Sequence, residues 1–156
     1  MKKILLGFIL ALAVISLFPS AYASSPAKQP RIEVLYMNHG PLMDTLDKMK
    51  NVFSAYGDKI SVSWHEFFSK EGEEFKAKKG INGHVPLMIW IDGDTVVKLG
   101  QKQVKFVGFP TGAGPTFFQG KWTIDDLKAA LDQVNISSPM AAAPMMIISG
   151  LQLPNI

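Results

Sequence analysis

Two short stretches hold the side chains best placed to do chemistry, His39-Gly40-Pro41-Leu42 and His84-Val85-Pro86. A neutral imidazole can bind a metal, take up a proton, or accept a hydrogen bond at a helix start. Pro41 suits the first position of a helix, where its missing N–H would be unsatisfied anyway. His39 therefore stands at a helix amino terminus, where the macrodipole disfavours the imidazolium and a neutral ring is expected. His84 is two residues before Pro86. With Met37, Met43 or Asp44 near in sequence, His39 and His84 could hold a soft or borderline metal such as copper or zinc. No His-x-x-His or other local ligand spacing supports that site. The chain has no cysteine, so thiol–disulfide exchange by this polypeptide alone is excluded, because the attacking species must be a thiolate. Neither a serine nucleophile elbow nor a paired-carboxylate or triad spacing is visible. The glycine-bearing run 108–115 lacks the Lys-Ser/Thr ending of a phosphate loop. An enzyme with His39 as general base would have no partner residue, and the reading leans away from catalysis.

The elements that must position these residues follow from periodicity. Arg31 to Met37 reads as a buried strand, and Asn38-His39-Gly40 as a turn. Leu42, Leu46, Met49 and Phe53 mark one face of a helix ending near Tyr56-Gly57. Lys59 to Phe67 is a second strand, with Ile60, Val62 and Trp64 on one face and His65 on the other. Ser69 caps a charged helix that Gly80 closes, acidic residues early and lysines late. Pro86 opens LMIWI, the apolar run of a central strand covered on both faces. Asp92-Gly93 is a hairpin turn. Beyond it, residues 95–107 form either one bent strand or two strands with a tight turn at 100–103. Thr123 caps a last helix through Asn135, with Ile124, Leu127, Leu131 and Val134 on one side. Between them lies a loop, 108–120, with Phe109, Phe117 and Phe118. It either buries its own aromatics or walls a recognition groove, and a turn at 100–103 would remove the argument for the wall.

The 156 residues divide unevenly. Residues 1–23 have a basic start, an apolar stretch to Phe18 and Ala21-Tyr22-Ala23, the pattern of a cleaved secretory signal; retention as an anchor is the alternative. The apolar stretch is shorter than the roughly 20 residues of a spanning helix, so no stable membrane span is expected after cleavage. Residues 24–30 are a linker, 31–135 a single domain, and 136–156 an uncharged, proline-containing apolar tail. Past residue 23 the chain holds fourteen basic and thirteen acidic residues, and no positive stripe suited to nucleic acid. The expected location is periplasmic or extracellular.

The order strand-helix-strand-helix-strand-strand-helix, with HGPL at the first helix and Val85-Pro86 opening the third strand, resembles the thioredoxin-like fold across residues 31–135. Members of that family carry C-G-P-C at the helix start and a cis-proline facing it. The resemblance implies a three-layer α/β/α sandwich around a mixed sheet of four or five strands, with a cis bond at Pro86. It implies no redox activity here, since His39 and Leu42 stand at the two sulfur positions. It also implies a groove beside the cis-proline that holds an extended client segment by main-chain hydrogen bonds. Asn38, His39, Gly40, Pro41, His84, Val85, Pro86 and Phe109 would form it. The leading expectation is thus an exported, redox-inactive module binding a protein or peptide client in the cell envelope. The alternative is a copper or zinc protein using His39 and His84.

Overall fold

The computed structural model describes residues 28–38 and 40–137; the expected signal segment, His39 and residues 138–156 lie outside the described residues. Alternation along Arg31–Tyr36 (β1) sends Ile32 and Val34 to one face and Glu33 and Leu35 to the other, all four buried. A strand buried on both faces must be central. β1 pairs in parallel with Ser61–Glu66 (β2), in register from Arg31 opposite Ser61 to Tyr36 opposite Glu66. On its other edge it pairs antiparallel with Leu87–Ile91 (β3), from Ile32 opposite Ile91 to Tyr36 opposite Leu87. The result is a mixed α/β protein with a three-stranded mixed sheet ordered β2-β1-β3.

The parallel pair needs a crossover, supplied by Met43–Ser54 (α1) after a 3-10 turn at Gly40–Leu42. One sheet face buries Ile32, Val34 and Ile89 under Leu46, Met49 and Phe53 of α1 and under Leu127 and Leu131 of Ile124–Ser137 (α3). The opposite face carries a second apolar cluster, Leu35, Met37, Phe67 and Trp90, closed by Phe75 of Lys70–Lys79 (α2). Ser69 caps α2 by accepting from the Gly72 N–H at 3.0 Å, and Gly80 ends it in the left-handed region at φ 68°. Lys79 pins α2 to the sheet through a 2.8 Å bond to buried Glu33, with its ammonium 5.0 Å from the Trp90 ring.

Asp92 and Gly93 both have positive φ, 51° and 97°, as a two-residue hairpin turn requires. The ambiguity over residues 95–107 resolves as two strands. Gly100, at φ 59°, turns Val96–Leu99 (β4) back onto Lys102–Lys105 (β5) in a separate two-stranded sheet. The four- or five-stranded sheet expected from sequence is corrected accordingly. Lys98, Lys102 and Lys105 are exposed, and a charged hairpin of this kind cannot lie between two apolar layers. The chain rejoins β3 only afterwards, through Ile89 N–H to Phe106 O (3.0 Å) and Gly108 N–H to Leu87 O (2.8 Å).

The expected cis bond at Pro86 is also corrected: among the described residues every peptide bond is trans. Trans is favoured at X–Pro bonds by about 0.5–1 kcal/mol. Here buried Pro86 continues the β1–β3 ladder in that form, its carbonyl accepting from the Met37 N–H at 2.9 Å.

Candidate functional site

Four chain segments converge at the carboxyl end of β1. The Met37 N–H bonds to Pro86, and the Tyr36 carbonyl accepts from the Phe67 N–H at 2.7 Å. The Gly108 bond to Leu87 brings in the 108–120 loop. The loop therefore stands at this end despite the reversal at Gly100, because residues 106–108 return along β3.

Of the residues expected to line a groove, Asn38, Gly40 and Pro41 are exposed at the end of β1, next to the Pro86 step. His84 is exposed, Val85 half-buried and Pro86 buried. Phe109 does not belong to the groove. It is 1% exposed and fixed in the core, its N–H donating to Phe118 O and its carbonyl accepting from Gly120 N–H. Gly114 covers its ring so closely that an added Cβ would fall 2.5 Å from it. Phe117 is the exposed ring of this loop, and half-buried Phe118 packs between it and the core.

The loop is held by its own polar contacts. Gln119 accepts from Gly112 N–H and donates to Gly114 O, and buried Trp122 donates its indole N–H to Gly108 O at 3.1 Å. The backbone approach is tight at Gly108, where φ is +78° and a Cβ would meet Phe118 O at 2.3 Å. Phe118 packs half-buried between the core and His84, and Phe117 stands outside it.

Five rings result in one unbroken line: Phe68, Phe67, His84, Phe118, Phe117. Successive centroids lie 5.1, 6.1, 5.8 and 4.3 Å apart. Phe68 is 64% and Phe117 79% exposed, large values for phenylalanine. Two of these rings, Phe67 and His84, line an open groove of about 400 Å³ between α2 and the 81–84 loop, together with Glu73, Lys76, Ile81 and Asn82 among others. Lys76 is buried, bonded to Glu73 at 2.7 Å, with its ammonium 3.7 Å above the Phe67 ring. That cation fixes the Phe67 face from below.

Residues 82–85 add a second property. Their backbone N–H and C=O groups make no hydrogen bond among the described residues. A bent stretch whose main-chain groups carry no bond among the described residues, flanked by aromatic rings, can take a peptide main chain and its side chains together.

The metal arrangement gains no third donor. His84 is flanked by phenyl rings, and among the described residues no group of three or more His, Asp or Glu could hold an ion. His65 faces α2 as expected, stacked on Phe75 at 3.8 Å with planes 10° apart. Burial holds its imidazole below the usual 6.5, against the opposing pull of Glu33. Among the described residues no helix is long and apolar enough to cross a membrane.

Fold and site together define a mixed α/β protein with an aromatic-rimmed groove at one sheet end. No protein-family model, curated protein or solved structure matches the chain.

Proposed function

We propose that this chain is an exported, redox-inactive protein of thioredoxin-like architecture that binds an extended polypeptide segment at the groove beside Pro86. One observation carries the reading: the five-ring line from Phe68 to Phe117 runs beside the unbonded backbone of residues 82–85. The parallel β1–β2 pair, the antiparallel β1–β3 pair and the helix opening at Gly40-Pro41 support the architecture. With no cysteine in the chain, what the site offers a client is main-chain pairing and apolar contact. Phe68 and Phe117 are largely exposed at the two ends of the ring series, and exposed apolar surface beside a groove suits an interaction site. The client is a protein or peptide of the cell envelope, held in extended form with apolar side chains at alternate positions.

Selection of random twelve-residue peptides on the immobilised full chain tests this. Enriched peptides should alternate apolar residues and lose at least tenfold in affinity against Phe68→Ser/Phe117→Ser. Lys98→Ala, on the β4–β5 hairpin, should leave binding unchanged. Absence of enrichment, or equal binding by the double variant, overturns the proposal.

A further inference from the structure

We infer that the groove's resting occupant is the chain's own carboxyl-terminal segment, Pro144-Met145-Met146-Ile147-Ile148, folded back over the Phe118–Phe117 end of the ring line. The inference rests on the groove reading above and adds an intramolecular ligand to it. Three observations support it.

The first is composition. Residues 138–156 contain no charged side chain and no histidine, and carry prolines at 139, 144 and 154. An uncharged apolar segment in water needs cover. At this end the described surface offers it Phe117, 79% exposed and packed on half-buried Phe118, whose ring meets His84 at the groove.

The second is chemistry. Methionine sulfur packs favourably against aromatic ring edges, at about 5 Å. Met145-Met146 meets that requirement, and the ring line supplies the partners. Bound there, its main chain would meet the groups of Gly83, His84 and Val85 that carry no bond among the described residues.

The third is reach. Thr111 N–H bonds to Trp122 O at 2.7 Å, which sets the start of α3 beside the loop. The helix then carries the chain about 21 Å away by its end, at about 1.5 Å per residue over 14 residues. Returning that distance in extended chain takes about seven residues at roughly 3.3 Å each. The seventh residue after Ser137 is Pro144, the first of the apolar run.

A disulfide introduced into the cysteine-free full chain tests this cleanly. Thr116 is exposed beside Phe117, so Thr116→Cys tolerates the change. With Met145→Cys it should oxidise to an intramolecular disulfide in most molecules, since bridging needs the two Cα atoms within about 7 Å. A control pair, Lys98→Cys with Met145→Cys, should cross-link at least fivefold less, and Phe68→Ser/Phe117→Ser should lower the yield of the first pair. As an independent readout, Met145→Asp/Met146→Asp should raise the affinity for a library-selected peptide several-fold by freeing the groove. Equal yields from both cysteine pairs, or linkage only between two molecules, overturn the inference. If selected peptides bind through the rings while no intramolecular link forms, the groove reading stands and the tail inference falls. If the link forms and no peptide is ever selected, the tail is the sole ligand and the client reading falls.

Discussion

Replacing Gly72 by alanine should destabilise the protein, although alanine is the better helix former by about 1 kcal/mol. Gly72 lies in the first turn of α2, where that turn crosses the end of β2. A Cβ built there falls 1.8 Å from the Glu66 carbonyl oxygen and 2.8 Å from its carbon. Both are backbone atoms, so no side chain can swing away. The helix start must retreat by more than an ångström. The same carbonyl accepts from the Ser69 N–H (3.1 Å) and hydroxyl (2.9 Å), and that hydroxyl caps α2 through the Gly72 N–H. Loss of such a cap costs about 1 kcal/mol, and forcing extra volume into a packed contact costs roughly 1–3 kcal/mol. Set against the propensity gain, the net expectation is a loss of about 2 kcal/mol. In urea this should lower the midpoint by about 1 M, followed by far-ultraviolet circular dichroism. A midpoint equal to or above that of the parent would refute the close approach of α2 to β2, and with it the geometry that holds Phe67 and Phe68 at the groove.

Tyr56 ties α1 to α3, donating to Lys128 O (3.1 Å) and the Asp132 carboxylate (2.8 Å). Burial first, and then Asp132, push its phenol up to about 12. Tyr56→Phe should cost about 1 kcal/mol, and absorbance at 295 nm should show one tyrosine titrating late. Because the folded value is raised, this contribution is complete below pH 10 and disappears as pH climbs toward 12. His65 runs the other way: its folded value lies below 6.5, so the unfolded chain binds the proton first. Thermal stability should therefore fall as pH drops through 6.5, and His65→Phe, which keeps the stack on Phe75, should flatten that slope; an unchanged slope would remove His65 as the cause. At the start of α3, Asp126 and Thr123 exchange backbone N–H bonds in a reciprocal cap, with Lys102 at 2.8 Å. Burial raises the Asp126 carboxyl, but the bonds from Lys102 and Thr123 outweigh it and hold the group below its usual 3.8. Asp126→Asn should cost about 1 kcal/mol of cap stability and lessen the loss of stability on acidification below pH 4, measured by urea unfolding across pH.

Much of the scaffold was legible because local chemistry and tertiary demand agree there. Ser69 and Thr123 each start a helix through a hydroxyl cap, and Gly80 ends one through a left-handed backbone. The apolar run LMIWI, 87–91, is β3 itself, and His65 lies on the face its alternation assigns. The hairpin at Gly100 was ambiguous because Gly-Gln-Lys fits a bend as well as a turn; the exposed lysines that keep β4 and β5 off the main sheet decide it. The site was half legible. His84 and Pro86 lie together, but Phe109 sits in the core, Phe118 is half-buried against it and Phe117 faces out, and composition gives no rule for choosing among phenylalanines in one loop. What selects Phe109 is a long-range matter, the close approach of Gly114 to its ring and the paired backbone bonds to Phe118 and Gly120. Phe67-Phe68 illustrates the same point at the end of β2. One ring closes the α2-side cluster and its neighbour turns to solvent, both in the turn that follows β2 and leads into α2.

Amide chemical-shift mapping of the isotope-labelled full chain with a library-selected peptide tests the central claim most directly. Binding at the groove predicts the largest shifts at Gly83, His84 and Val85, with Phe67, Phe68, Phe117 and Phe118 next, and the β4–β5 hairpin silent. Shifts centred on that hairpin, or none beyond dilution, would contradict a peptide site beside Pro86.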